Sequence, residues 1–271
     1  MKNQYPIYIP SKGRLFKCNA AKLLDESGYN YKIVVEPNEH QKYLDIYPQS
    51  TVLTMDKNDQ GIAYARTWIK KYSIKQNEKK HWQLDDNIRR FRKWKNNIRD
   101  YTLPHNVLPF VERFSNKFKN CGTIGIRSDA FGYNIEPPYK KNRMVYCCIL
   151  DNNNMDIFWR QMSLGSDTDY SIQVCETRKW CTVLFHKYQI TKPNMGTQKG
   201  GHQKDYAEDG REQRIKNLQK LWGTEMIKKK LYKEKTMLNC NHIWKTYKHP
   251  LIPVDIHKKK DLILTQLLIY Q

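Results

Sequence analysis

The sequence predicts an α/β fold, a mostly parallel sheet flanked by helices, with a C-terminal extension. Three observations predict it. Short apolar runs (YPIYIP, YKIVVEP, TVLTMD and HWQLDDN) alternate with helical stretches through the first third of the chain, the pattern of parallel strands joined by right-handed crossovers. The helical stretches carry their own punctuation: FKCNAAKLLDESG stops at Gly28, and GIAYARTWIKKYS repeats Ile62, Ala65, Ile69 and Tyr72 at helical spacing. At 271 residues the chain can bury an ample core, as one large α/β domain or two smaller ones.

Each strand prepares the next element. YPIYIP ends in the turn SKGR before the first helix, YKIVVEP is ended by Pro37, and TVLTMD precedes the helix from Gly61. HWQLDDN runs from His81 to Leu84 and ends in Asp85, Asp86 and Asn87. Ligands of a parallel sheet bind beyond the carboxyl ends of its strands, so Ser11 to Arg14, Glu36, Asp56 to Asp59 and Asp85 to Asn87 are expected at one rim. The second third is less regular. CGTIGIRSDAFG has glycines and a small-residue turn, while MVYCCILDN and CTVLFHKYQI read as strands. Asp167 and Asp169 sit in the first turn of a helix-like stretch. The polar PNMGTQKGGHQKDY suggests a loop, and the charged 208–235 stretch suggests a surface helix. The remainder, 236–271, has prolines at 250 and 253 and a KKK run, and reads as a basic arm that is appended or wraps the domain.

Charge speaks to partners rather than to fold. Lys plus Arg number 48 against 27 acids, a net charge of +21, which favours a nucleic acid, an anionic surface or a polyanion, or reflects a basic proteome background. Lys2 is followed at once by a strand, so no export signal is expected, and LILTQLLIY is too short to span a bilayer. The seven cysteines show no CxxC pair. They are expected as reduced thiols in a cytoplasm, without a structural zinc.

GIAYARTWIKKY followed by WQLDDN resembles the ARN-helix and DxD-strand pairing of GT-A glycosyltransferases. With IYIPSKGR, VVEP, the DTDYS cluster and the MGTQKGG loop in that order, the chain resembles the TET/JBP-associated glycosyltransferases, a family typical of phages, from about Tyr5 to Trp222. The resemblance implies a GT-A-like (Rossmann-like) domain over 1–235, with a nucleotide-sugar half (1–110), an acceptor half (111–235) and the arm 236–271 outside. It implies transfer of a sugar, expected from a UDP-linked donor, to a hydroxymethylated pyrimidine in DNA.

The site residues follow from the rim and the resemblance together. Lys12 and Arg14 lie where cations can hold the donor's phosphates, and Glu36 where a carboxylate can take a ribose or base hydrogen bond. By resemblance Asp85 serves the nucleotide, and Asp86 and Asn87 lie near a divalent metal (Mn or Mg) that assists the leaving diphosphate. Asn87 stands where the motif usually ends in a carboxylate. Arg66 is expected to contact the diphosphate or fix Asp85, although a lone helical Arg is usually solvated. Asp167 takes the aligned place of the base in an inverting enzyme, preceded by Ser166 rather than Glu. SDTD is equally a good helix N-cap. In the loop, Lys199 adds charge near phosphate, and His202 could complete a metal shell.

The basic run Arg89, Arg90, Arg92, Lys93, Lys95 and Arg99, with Phe91 and Trp94 between, is read as a helix that meets DNA phosphates. Its aromatics also suit a buried stripe. Reaching a base inside a duplex requires flipping, and Trp94, Trp159 or Phe131 could stack on it. Other classes fit parts of the pattern: a metal nuclease, a non-catalytic DNA-binding protein, or a glycosyltransferase acting on protein or polysaccharide. No membrane partner is expected, and oligomeric state is not encoded in any feature noted.

Overall fold

The computed structural model describes residues 4–95, 98–131, 135, 137–193, 210–232 and 235–254. Lys199 and His202, and the end of the arm, lie outside the described residues. The first block is the expected alternation: β1 (Ile7–Pro10), α1 (Asn19–Glu26), β2 (Lys32–Val35), α2 (His40–Leu44), β3 (Val52–Thr54), α3 (Gly61–Lys75) and β4 (Lys80–Leu84). These strands lie in the order β3-β2-β1-β4, all parallel. The chain continues with β5 (Arg90–Lys95), β6 (Ile98–Thr102), α4 (Pro104–Asn116), β7 (Cys121–Ser128), β8 (Tyr139–Lys141), β9 (Cys148–Asn152), α5 (Ser166–Glu176) and β10 (Cys181–Thr191). Together they form a 10-stranded sheet, β3-β2-β1-β4-β9-β7-β10-β5-β6, with β8 on β10.

Sheet and helices make three layers. Along β1 and β2, Ile7, Ile9, Ile33 and Val35 enter a core with α1 and α4, through Ala20, Leu24, Val107 and Val111. The alternate residues Tyr8 and Val34 face the opposite side and pack with Ala65 and Ile69 of α3. This period-2 division is why the strands are apolar throughout: both faces are covered.

Strand direction decides what reaches the rim. β9 is antiparallel to both β4 and β7, and β10 is parallel to β7. The carboxyl ends of β4, β7 and β10 therefore lie at the same rim as those of β1 and β2, and Lys192, just after β10, joins Asp85. β5 is antiparallel to β10 and starts at that rim, with Arg90 opposite Thr191.

Three sequence expectations are corrected. The basic run from Arg89 to Arg99 is not a helix but the antiparallel hairpin β5–β6, with Trp94 opposite Arg99. Phe91 alone is driven inward, against the core, while the cations that flank it stay at the surface. The stretch from Cys121, expected to be irregular with a small-residue turn, is regular over the buried strand β7, whose Gly122 and Gly125 let Met155 and Val145 approach, and turns only after it, at Asp129–Phe131. The charged 208–235 stretch is not one helix. α6 (Gly210–Met226) breaks at Gly223 (φ 77) and leads into the hairpin β11 (Lys228–Tyr232) and β12 (Lys235–Asn239). The arm goes on through α7 (Asn241–Trp244) and wraps back onto the domain, where Phe118 bridges Pro253 and Asn120 donates to the carbonyl of Pro250 at 2.9 Å.

Candidate functional site

The turn after β4 is anchored from both sides. The Asp85 amide donates to the carbonyl of Cys147 at 3.1 Å, and the Asp86 carbonyl accepts from Ala20 at the start of α1 at 3.1 Å. The two side chains consequently diverge. Asp86 is buried, accepts from Ser11 Oγ at 2.8 Å and pairs with Arg14. Burial pushes its carboxyl above the usual range, and Arg14 and Ser11 only partly offset that. Asp85 points to the opposite side, toward Arg66 Nη2 at 3.1 Å and Lys192 Nζ at 2.8 Å. Burial would raise its carboxyl, but Lys192 and Arg66 outweigh it and hold Asp85 well below the ordinary carboxylate range.

Arg66 joins the two halves of the chain. From α3 it pairs with Asp85 through one nitrogen and with Asp167, the first-turn acid of α5, through the other. Its guanidinium lies over the Trp159 ring at 4.4 Å, and Trp159 stacks on Tyr170 at 4.1 Å, nearly parallel. This cation–π floor takes Trp159 out of contention for a flipped base: the residue is 5 % exposed and carries Arg66. Of the other two candidates, Phe131 is exposed, and Trp94 lies under Arg99 at 5.5 Å. Beneath the floor, Tyr170 donates to the buried Asp151, which also pairs with the buried Lys70 at 3.0 Å.

The cations of the first strand occupy the same rim. Lys12 pairs with Glu36 at 2.9 Å and with Asp59, and the Asp59 amide donates to Glu36 at 3.0 Å. The buried Glu36 is thus ion-paired at the rim. Asp169 behaves differently from its neighbour Asp167. It is fully buried and takes donors from Arg160, Gln173 and Trp222, so its role is to hold structure, whereas the Asp167 side chain is 37 % exposed beside Arg66. Lys192 is the member of this site that sequence reasoning did not pick out.

The β5–β6 hairpin adjoins the site directly. Arg92 reaches Asp129 at 3.2 Å and Thr191 at 3.1 Å, and Arg99 donates to the carbonyl of Asp129. Arg89, Arg90 and Lys95 are exposed, and Lys93 and Trp94 half-buried. The charge is a surface, and it begins one residue after the peptide that closes the Asp85 turn.

A model of the TET-associated glycosyltransferases matches residues 5–201. The chain belongs to the TET-associated glycosyltransferase family. The match covers the rim, Arg66, Asp85, Asp167 and Lys192 together. No curated protein matches the chain at a significant level. Family membership decides among the classes left open by the sequence: this TET-associated glycosyltransferase is an enzyme, not a DNA-binding protein without catalysis. No helix among the described residues is long and apolar enough to cross a membrane.

The fold family implies a divalent metal, and the donor set can be tested against one. Among the described residues no group of His, Cys, Asp or Glu side chains is arranged to hold a metal ion. Asp85 is shared by two cations and Asp86 is paired with Arg14, which leaves the Asn87 carbonyl, a buried acceptor without a partner, as a single neutral donor. A divalent ion would have to displace these cations against their charge. The described residues therefore do not fit the metal.

Proposed function

We propose that this glycosyltransferase moves a sugar from a UDP-linked nucleotide sugar to a hydroxymethylated pyrimidine in DNA, with inversion. The observation that carries the reading is the bridge Asp85–Arg66–Asp167, which holds a donor-rim carboxylate and the exposed acid of α5 on opposite sides of one guanidinium. Lys12, Arg14, Arg66 and Lys192 supply positive charge at the rim where a diphosphate would lie, and Glu36 and Asp85 orient cations rather than stand free.

In this reading the hydroxymethyl oxygen of the base attacks the anomeric carbon from the Asp167 side. The new C–O bond forms as the bond to the diphosphate oxygen breaks, its electron pair leaving with the nucleoside diphosphate. Asp167 takes the hydroxyl proton, and the rim cations meet the charge that grows on the leaving group. The hairpin cations, Arg89, Arg90, Lys93 and Lys95, contact DNA phosphates and bring the acceptor to this point. Lys199, in the loop outside the described residues, would add charge near the phosphates.

The test is incubation of hydroxymethylated DNA with a panel of nucleotide sugars, read as a mass increase of the nucleoside. Product with wild type and none with Asp167→Asn, which still binds the donor, is expected. Absence of product with every donor, or transfer to protein or polysaccharide instead, overturns the reading.

A further inference from the structure

The first turn of α5 is held from outside the family-matched span. α6 starts at Gly210, after the match ends at residue 201, and its residues close on the helix start that carries Asp167. Trp222 Nε1 donates to Asp169 at 2.8 Å, Arg214 Nη2 donates to the Thr168 hydroxyl at 2.9 Å, and Asn217 reaches the carbonyl of Leu164. Ile215 and Leu218 pack with Ile172 and Cys175 of α5, and Ile227, Trp244 and Tyr247 complete this separate core.

The approach is close enough to dictate sequence. Gly165, the residue before α5, has φ +99, and a Cβ there would lie 3.1 Å from Leu218 and 3.4 Å from Arg214. Its carbonyl accepts the amides of Thr168 and Asp169 at 3.0 Å, so the turn that α6 covers is the turn that sets the direction of Asp167. Asp169 has no exposure at all and depends on its donors. Arg160, one of them, lies over the Trp222 ring at 5.1 Å, so Trp222 organises two of the contacts to this carboxylate.

We infer that α6 and the hairpin behind it are a brace that sets the position of Asp167, with Trp222 as its principal positioning residue, acting through Asp169. The inference rests on Asp167 being the base. A carboxylate that abstracts a proton must stand within hydrogen-bond reach of it, and a displacement of an ångström is costly in rate without altering donor binding.

Trp222→Phe keeps an aromatic ring, smaller than the indole, and deletes the N–H, while Trp222→His keeps an N–H donor. The expected result is a fall in kcat of about tenfold for Trp222→Phe with donor KM unchanged, faster amide exchange over 165–172, and recovery of both in Trp222→His. Wild-type kcat together with unchanged exchange in that turn overturns the brace. So does an equal loss of kcat in both variants that follows their loss of Tm, since that is packing alone. If the wild-type enzyme transfers no sugar, the proposed function fails, and the exchange measurement still decides the brace.

Discussion

Arg66 divides its guanidinium between Asp85 and Asp167, residues from the two halves of the family-matched region. The residue is 3 % exposed and lies on the Trp159 face, so neither carboxylate can be relaxed without moving the other's partner. Burial opposes the charge on Arg66, but Asp167 and Asp85 outweigh it and keep the guanidinium firmly protonated. A lysine at this position has one ammonium and no planar fork. Arg66→Lys is expected to lower kcat by about a hundredfold, as loss of a buried charge-assisted bridge should. Steady-state kinetics check it; a variant with wild-type kcat refutes the bridge as a functional element.

Lys192 brings a second cation to Asp85 beside Arg66. Its ammonium lies 2.8 Å from Asp85 and 2.9 Å from the Cys147 sulfur, and although burial works against it, Asp85 and Cys147 keep it charged. Wild-type transfer is expected to persist in excess EDTA. Lys192→Met is expected to lower kcat by about a hundredfold, the scale seen when one group stabilising a developing charge is removed. Loss of activity in chelator with recovery on adding Mn or Mg refutes the prediction.

The hairpin predicts a salt signature. Arg90→Gln and Lys95→Gln each remove an exposed cation that carries no described ion pair, so each should weaken DNA binding about equally across sequences. Each should also reduce the slope of log K against log salt by about one. Donor KM should not change. Arg92→Gln is a different case, because it also unties Asp129 and should lower Tm. Titration at several salt concentrations checks this, and unchanged slopes for both exposed variants refute it.

A stability prediction comes from His81. Burial pushes its imidazole down to about 4 from 6.5, with Asn153 and Gln83 each 2.8 Å from a ring nitrogen. Below pH 6.5 the unfolded chain takes up a proton that the folded protein refuses. This residue therefore destabilises the fold progressively as pH falls toward 4, by up to about 3 kcal/mol. His81→Gln is expected to show a shallower loss of stability over that window in urea titrations. A slope identical to wild type refutes it.

The rim was readable because one rule suffices: strands in parallel put their carboxyl ends together, so Lys12, Glu36 and Asp85 could be grouped from sequence alone. Arg66 was readable only through the family resemblance, because a lone Arg on a helix is ordinarily a solvated one. Lys192 was not, because its arrival depends on β9 being antiparallel to both neighbours, a long-range pairing with no local signal. The β5–β6 hairpin was hidden by its own charge. Cations on both faces erase the period of 2, and Phe91 and Trp94, three apart, mimic a helix. Asp167 and Asp169 look alike in sequence, and it takes Arg160, Gln173 and the far-downstream Trp222 together to hold one of them buried while the other stays exposed.

The position of β10 has a consequence for how the molecule is made. β5 and β6 are synthesised long before β10, yet β10 is the strand that joins them to the sheet, and it also carries β7 and β8. An isolated two-stranded ribbon is marginal in water, and pairings so distant along the chain fold slowly. Until Thr191 has left the ribosome, the hairpin has nothing to rest on. The basic hairpin surface and the Asp85–Lys192 contact thus come into being in the same late step, and a truncated nascent chain acquires neither.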